Sequence, residues 1–282
     1  LGILKGGGAY VPIDPSNPPE RVRYLLEHSG SAVHINAAEL TAFREQLQQY
    51  AATPPPRTVT ADQLLAVIYT SGSTHRPKGV SIYTSNLLNR LYWMWQRYPF
   101  AEGEVGSVKT SIGFVDHLWE LFGPLLRGIP LVILSRDLLL DTEAFIEALA
   151  RERISRIVLV PTLLKSLLLH REACREKLGG LRYWTCSGEV LSPELVEAFY
   201  DTFEEHHLFN IYGSTEVTAD ATVYDFSADR LRNSTALAAP KLFRYDAEES
   251  LYETLDHTQQ RRIFPKEKGT LTAVPESLKS AA

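Results

Sequence analysis

The chain has 282 residues, 44% of them hydrophobic, and a formal net charge of -5. That length can bury the core of one large domain or of two smaller ones. The mildly acidic balance offers no electrostatic footprint for nucleic acid or an anionic membrane, and no apolar run reaches the roughly 18–20 residues that span a bilayer.

In chain order, Leu1 to Lys5 followed by Gly6-Gly7-Gly8 reads as a helix end running into a turn, since glycine ends helices at little cost. Ala9 to Ile13 is short, β-rich and bounded by Pro. Pro18-Pro19-Glu20 opens a helix that carries Val22, Leu25 and Leu26 on one face and ends at Gly30. Ala32 to Ile35 reads as a short strand, and Leu40 to Tyr50 as a polar helix. Thr53-Pro54-Pro55-Pro56 is a connector, because three prolines exclude helix. Leu64 to Thr70 is a continuous apolar run, the pattern of a buried parallel strand, and Ser85 to Trp95 is a helix with Ser85 or Asn86 as its cap. Helices are then expected at Glu120–Arg127, Thr142–Arg153, Thr162–Arg171 and Ser192–His206. Strands are expected at Leu131–Leu134, Ile157–Val160, Leu181–Cys186 and Leu208–Ile211. This alternation predicts an α/β fold of parallel sheets flanked by helices. The two cysteines, Cys174 and Cys186, show neither metal-ligand spacing nor a disulfide framework and read as reduced thiols of a cytoplasmic protein. From residue 226 onward the text is polar and irregular. It is expected to be a divergent, weakly ordered tail (226–282) to a core spanning 1–225, with one or two helical turns at Leu251 to Leu255.

The segment richest in chemistry runs from Ile68 to Val80. Thr70-Ser71-Gly72-Ser73-Thr74 follows a predicted strand and supplies hydroxyls and exposed backbone N–H groups, and Lys78 adds a positive charge. This is a phosphate-cradling composition, although Ser/Gly-rich surface loops are also common. It is not the G-x-x-x-x-G-K-[ST] loop, because Lys78 precedes Gly79 and Val80 follows.

That segment resembles the T-S-G-[ST]-T-G-x-P-K-G signature of the adenylate-forming superfamily, with His75 in place of one glycine. Three further blocks occur in the expected order. Leu4 to Pro15 resembles the L-K-A-G-G-A-Y-V-P-[IL]-D-P block of the peptide-synthetase branch. Ser187-Gly188-Glu189 with Leu191 resembles S-G-E-x-L, and Asn210 to Glu216 resembles N-x-Y-G-x-T-E. The resemblance covers Leu1 to about Asp225. It implies the incomplete large N-terminal domain of an adenylate-forming enzyme, which joins a carboxylate to the α-phosphate of ATP and expels pyrophosphate.

By the same resemblance, Thr70 to Thr74, Lys78 and Gly79 would cover the β- and γ-phosphates. Thr215 would contact the α-phosphate, and Glu216 would associate with Mg²⁺. Tyr212 would stack on adenine, with Gly188 and Glu189 on its other side, Asn210 on the base edge, and Gly213 and Ser214 beside them. Lys78, Thr215 and Glu216 form the expected catalytic set. His75 is expected to slow loop closure or weaken ATP binding, because glycine in such loops supplies backbone freedom.

Gly113 to Phe122 resembles the family's F-D-x-S-x-W-E block, whose Asp binds the substrate's α-ammonium. Aligned on Trp119-Glu120, Val115 occupies that position and Asp116 follows it. With Trp119 and Ser187, these residues are the expected substrate contacts. Asp116 either meets an ammonium one carbon further out, as in a β-amino acid such as β-alanine, or no ammonium is recognised and the substrate is a plain acid. The alternative to ligand binding for Asp116 itself is a helix N-cap before Leu118 to Leu126.

The family's later Y-R-T-G-D block, hinge and small domain with its bridging lysine have no counterpart here. The chain is therefore expected to be a fragment, weakly active or inactive by itself. Alternatives are a non-catalytic nucleotide-binding or scaffolding remnant, or a ligase resembling the acyl-CoA synthetases. A carrier-protein phosphopantetheine thiol or coenzyme A would be the partner of the complete enzyme.

Overall fold

The computed structural model describes residues 1–50, 53, 59–71, 76–227, 241–246 and 251–255, the last two ranges as backbone alone. The chain divides into two compact units, Leu1–Asn86 and the remainder from Leu87.

In the first unit, α1 (Gly2–Lys5) is followed by α2 (Pro19–Ser29), which buries Leu25. Proline at the first helical position and Gly30 in the left-handed conformation (φ 60°) delimit α2, because Pro presets φ and Gly meets no Cβ penalty. Asn36 and Glu39 form a reciprocal capping box that starts α3 (Ala37–Gln46). Strand β1 (Leu64–Thr70) pairs with β2 (Lys78–Tyr83), which leads into α4 (Thr84–Arg97).

The β1–β2 pairing is antiparallel and sets Thr70 opposite Lys78. The expected parallel partner reduces to a single bridge between Tyr10 and Ala66. Leu65, Ala66, Ile68 and Tyr69 are all buried, so β1 is covered on both faces. Its apolar run reported that burial and not the direction of its neighbour. The expected strand at Ala32–Ile35 does not form, and Val33 and Ile35 are exposed.

The second unit contains β3 (Gly106–Val108), α5 (His117–Leu125), β4 (Leu131–Ile133), α6 (Thr142–Arg151) and β5 (Arg156–Leu159). It continues with α7 (Pro161–Leu168), α8 (Arg171–Lys177), β6 (Tyr183–Cys186), α9 (Pro193–Thr202), β7 (His207–Tyr212) and β8 (Thr222–Asp225). Backbone strands β9 (Lys241–Asp246) and β10 (Leu251–Leu255) complete it. The strands β3 and β4 pair in parallel. The larger sheet has the order β10-β9-β8-β7-β6-β5, parallel through β5, β6 and β7 and antiparallel beyond. Leu251–Leu255 is thus a strand against β9 where helical turns were expected. Its backbone groups on one side pair with β9 across the ladder, which a five-residue sequence pattern cannot disclose. The rest of 228–282 lies outside the described residues.

Helices α6, α7 and α9 cover one face of this sheet and bury Phe145, Leu149, Leu164, Leu167 and Phe199 against Ile157, Leu159, Trp184 and Leu208. Each such side chain contributes roughly 1.5–3 kcal/mol on removal from water. Buried Trp184 is polar-satisfied, donating from Nε1 to the Leu181 carbonyl at 2.6 Å. Arg156 opens β5 with its guanidinium 4.1 Å from the ring centroids of both Phe100 and Tyr183, and pairs with Glu104. Among the described residues no helix is long and apolar enough to cross a membrane.

Candidate functional site

The hairpin of the first unit carries the phosphate-loop candidates. Thr70 ends β1, exposed Ser71 follows it, and exposed Lys78 and Gly79 begin β2. Lys78 is therefore a strand residue held by ladder pairing to Thr70. The Tyr24 hydroxyl donates to the Pro77 carbonyl at 3.2 Å and ties the returning arm of the hairpin to α2. Gly72, Ser73, Thr74 and His75 lie outside the described residues.

In the second unit, the other candidates gather where β6 and β7 end. Asn210 sits beside Cys186 in the parallel register, so Ser187-Gly188-Glu189 and Asn210-Ile211-Tyr212 leave the sheet side by side. This is the carboxyl edge of parallel strands, where open α/β sheets bind ligands. Glu189 is anchored at the start of α7, and its Oε2 accepts from Thr162 N at 3.0 Å and Thr162 Oγ1 at 2.5 Å. A carboxylate is favourable there because the first helical N–H groups lack intrahelical partners. Tyr212 is 74% exposed and offers a ring face for stacking.

Beyond Tyr212 the chain makes a tight loop. Gly213 could not carry a side chain, since a Cβ would lie 1.6 Å from the Ala219 carbonyl oxygen. The Ser214 carbonyl accepts from Val217 N and Ala219 N, and Thr215–Val217 forms a 3₁₀ turn. Thr218 and Ala219 follow with φ of 59° and 81°, and Ala221 N closes the loop on the Tyr212 carbonyl at 2.9 Å. Two non-glycine residues in the left-handed region store backbone strain, a feature that concentrates at functional sites. Exposed Glu216 and Ser214 and half-buried Thr215 belong to the outer side of this loop.

The inner side of the loop holds a residue that the sequence did not single out. Asp220 has a fully buried side chain, ion-paired with buried Arg90 of α4. The Arg90 guanidinium lies 4.9 Å from the Trp93 ring centroid and 4.6 Å from that of Trp119. Trp119 Nε1 in turn donates to Asp116 Oδ1 at 3.3 Å. Asp116 occupies the N-cap position of α5 but makes no side-chain cap bond; its carboxylate turns to the indole. Val115 beside it is buried, with 5% exposure.

Burial pushes the Asp220 carboxyl up to about 6, against the Arg90 charge, and the nearby Asp116 charge raises it further. Burial likewise raises Glu120 to about 7, opposed by Lys109 and by bonds from the Thr110 amide and hydroxyl. Lys109 is depressed by burial and feels Glu120 and then Asp116. Asp116, Trp119, Arg90, Asp220 and Lys109 therefore form one charged neighbourhood. Arg90, Trp119, Thr185 and Ile211 also line a cavity of about 50 Å³. The signal that could have exposed Arg90 is a lone cation in an otherwise aromatic stretch, Arg90-Leu91-Tyr92-Trp93-Met94-Trp95, where a charge is buried only with a partner.

Residues 1–242 match the family model described as AMP-binding enzyme. The chain belongs to that family. Among curated relatives of this AMP-binding chain, the beta-alanyl-bioamine nonribosomal peptide synthetase ebony of Drosophila melanogaster is 38% identical over 254 residues, covering 79% of this chain and 28% of the relative. Tyrocidine synthase 3 of Brevibacillus parabrevis is 36% identical over 237 residues, covering 79% and 4% respectively. The AMP-binding chain thus spans less than a third of each of these relatives. Among solved structures, the nonribosomal peptide synthetase FmoA3 (S1046A) superposes with a TM-score of 0.71 at 23% identity, over 86% of this chain and 27% of that one. The Vibrio cholerae adenylation domain AlmE, in complex with glycyl-adenosine-5'-phosphate, gives 0.69 at 19% identity, over 86% and 51%. These likenesses establish the adenylate-forming fold for the AMP-binding chain.

Proposed function

We propose that this chain is part of an adenylation domain that activates a β-amino acid of the β-alanine type. In the reaction, a substrate carboxylate oxygen attacks the α-phosphorus of ATP. An acyl–phosphate anhydride forms, the bond to the β-phosphate breaks, and pyrophosphate leaves. Both reactants are anions, so the site must neutralise charge and align the attack.

The single observation that carries the reading is the pair Val115 and Asp116. An apolar, buried Val115 stands where an α-ammonium would need a carboxylate, and the Asp116 carboxylate lies one residue on, oriented by Trp119. Asp220 adds a second carboxyl, fully buried and within electrostatic range of half-buried Asp116. Arg90 already answers the Asp220 charge, and a substrate ammonium would add a cation beside Asp116 and ease the joint ionisation of the two neighbouring carboxylates. The name of the ebony relative includes a β-alanyl group, which supports the same substrate class.

For the nucleotide, the exposed Tyr212 ring is suited to stack on adenine, and Asn210 to meet its edge. Thr215 is suited to the α-phosphate, and Lys78 with the Thr70–Thr74 hydroxyls to the leaving pyrophosphate. Among the described residues no group of three potential metal ligands occurs. Magnesium bound mainly through ATP oxygens needs only one or two carboxylates, and the exposed Glu216 can serve as one. The ion would supply neutralisation of phosphate charge. In the complete protein the adenylate would pass to a nucleophilic acceptor such as a carrier-protein phosphopantetheine thiol, coenzyme A or an amine.

The test is ATP–pyrophosphate exchange by the protein that carries this chain, with β-alanine, L-alanine, glycine and propionate as separate substrates. Exchange strongest with β-alanine is expected. Preference for an α-amino acid or for propionate would overturn the reading.

A further inference from the structure

We infer that Arg90 is a positioning residue for substrate choice: it grips Asp220 Oδ2 against two indole rings and leaves the buried Oδ1 without a hydrogen-bond partner, so that Oδ1 and Asp116 together would take one ammonium group. The inference rests on the β-amino-acid reading above and adds to it the element that holds the second carboxylate in its working state.

The geometry is a continuous chain of contacts within one unit. Asp116 accepts from the Trp119 indole. The face of the same indole lies against the Arg90 guanidinium, and the Trp93 face lies against it as well. Arg90 Nε donates to Asp220 Oδ2. Arg90 is 7% exposed, and the Asp220 side chain not at all.

Among the described residues, Asp220 Oδ1 has no hydrogen-bond partner, and neither has Arg90 Nη1. A fully buried carboxylate oxygen left unpartnered is costly. A purely structural ion pair between a planar guanidinium and a carboxylate commonly satisfies both oxygens in a fork. Here a single donor is used, and the second oxygen is held back. The tight loop from Gly213 to Ala221 delivers Asp220 to this place at the expense of two strained residues, Thr218 and Ala219.

The charge balance agrees. Asp220 faces Arg90 from α4 and Asp116 from the start of α5, while Lys109, just after β3, faces both Asp116 and Glu120. Arg90 offsets Asp220 and so favours its ionised form, while Asp116 disfavours it. A ligand ammonium beside Oδ1 would relieve the Asp116–Asp220 repulsion. A substrate without an ammonium would leave that repulsion and the bare oxygen in place, and would be rejected for that reason.

The experiment uses the protein carrying this chain, as wild type and as Arg90→Met, Arg90→Lys and Asp220→Asn variants. Two readouts are taken across pH 5 to 9: tryptophan fluorescence without ligand, which senses charge beside Trp93 and Trp119, and β-alanine binding in the presence of MgATP. In the wild type, a fluorescence transition and the acid limb of β-alanine binding are both expected near pH 6, where Asp220 titrates. In Arg90→Met both should move up by about one pH unit or more, because the charge favouring the carboxylate is gone, and β-alanine affinity should partly recover at pH 9. Arg90→Lys should move them less, and Asp220→Asn should abolish the transition and weaken β-alanine at every pH by about tenfold or more.

If Arg90→Met and Arg90→Lys weaken binding equally at all pH values with both midpoints unmoved, Arg90 is only structural and the inference is wrong. If Arg90→Met does not fold by circular dichroism, the Arg90→Lys midpoint decides alone, and an unmoved midpoint overturns the inference. If wild type does not bind β-alanine although the ligand-free transition shifts as described, the substrate reading has failed and the coupling of Arg90 to Asp220 stands.

Discussion

The Trp119 indole N–H donates to the carboxylate of Asp116, three residues earlier, at 3.3 Å. This bond takes an aspartate from helix capping and aims it toward the buried aromatic wall where Arg90 and Asp220 meet. Under the proposed function it turns a one-residue displacement in sequence, Val115-Asp116 in place of an aspartate at the first position, into a displacement of charge within the substrate site.

Removing that charge should change which acid is activated. Asp116→Asn is expected to lower pyrophosphate exchange with β-alanine by about 10²-fold, in line with the loss of a charge-assisted contact worth about 1.5–3 kcal/mol. Exchange with propionate should change far less. Equal loss for both acids would mean that Asp116 serves helix α5 and not the substrate.

The proposed phosphate and magnesium contacts should behave differently. Lys78→Met and Glu216→Gln are each expected to slow exchange by about 10- to 1,000-fold for every acid tried, as when one group stabilising transition-state charge is removed. The selectivity between acids should stay as in wild type. Titration of MgATP should show a raised half-saturation for Lys78→Met, and normal half-saturation together with normal rates would remove that residue from the site.

Gly213→Ala should be strongly destabilising. A methyl group there would meet the Ala219 carbonyl oxygen at 1.6 Å, against backbone that is already strained. Overpacking typically costs about 1–3 kcal/mol, and rigid backbone on the far side puts this case at the upper end. Denaturant unfolding gives the magnitude, and an unchanged midpoint would show that the loop between Tyr212 and Ala221 is not rigid.

Glu120 predicts a pH dependence of stability. Burial raises its folded pKa from 4.5 to about 7, so between these values the folded chain binds more protons than the unfolded one. Stability from this group is therefore greatest at the acid end and is lost as pH rises through about 7, by up to about 3 kcal/mol. Denaturant melts at pH 5 and pH 8 should show Glu120→Gln gaining on wild type as pH rises. Parallel profiles would indicate that Glu120 stays ionised in the folded state.

Much of the fold could be read along the chain wherever burial and periodicity coincide. The runs at β4, β5, β6 and β7, the proline-started α2 and the helices α6 and α9 were legible because each shows its period or its cap locally. The antiparallel pairing of β1 with β2 was not, because Lys78 to Tyr83 is a partly exposed strand whose partner lies in an earlier segment of the chain. The three-residue strand β3 is too short for any period to register. The candidate nucleotide residues were legible as blocks by resemblance, whereas Arg90 and Asp220, 130 positions apart, belong to no block.

The sequence by itself determined the family, through ordered motifs whose residue types match phosphate and carboxylate chemistry, and it located the one-residue shift from Val115 to Asp116. Only the tertiary structure decided what surrounds that aspartate: the indole that orients it, the buried arginine behind the indole, and the second carboxyl delivered by a strained loop. The reason is physical. Side-chain chemistry is local and can be read in order, but the field at a buried charge is set by whatever groups folding brings within a few ångströms, regardless of their separation along the chain.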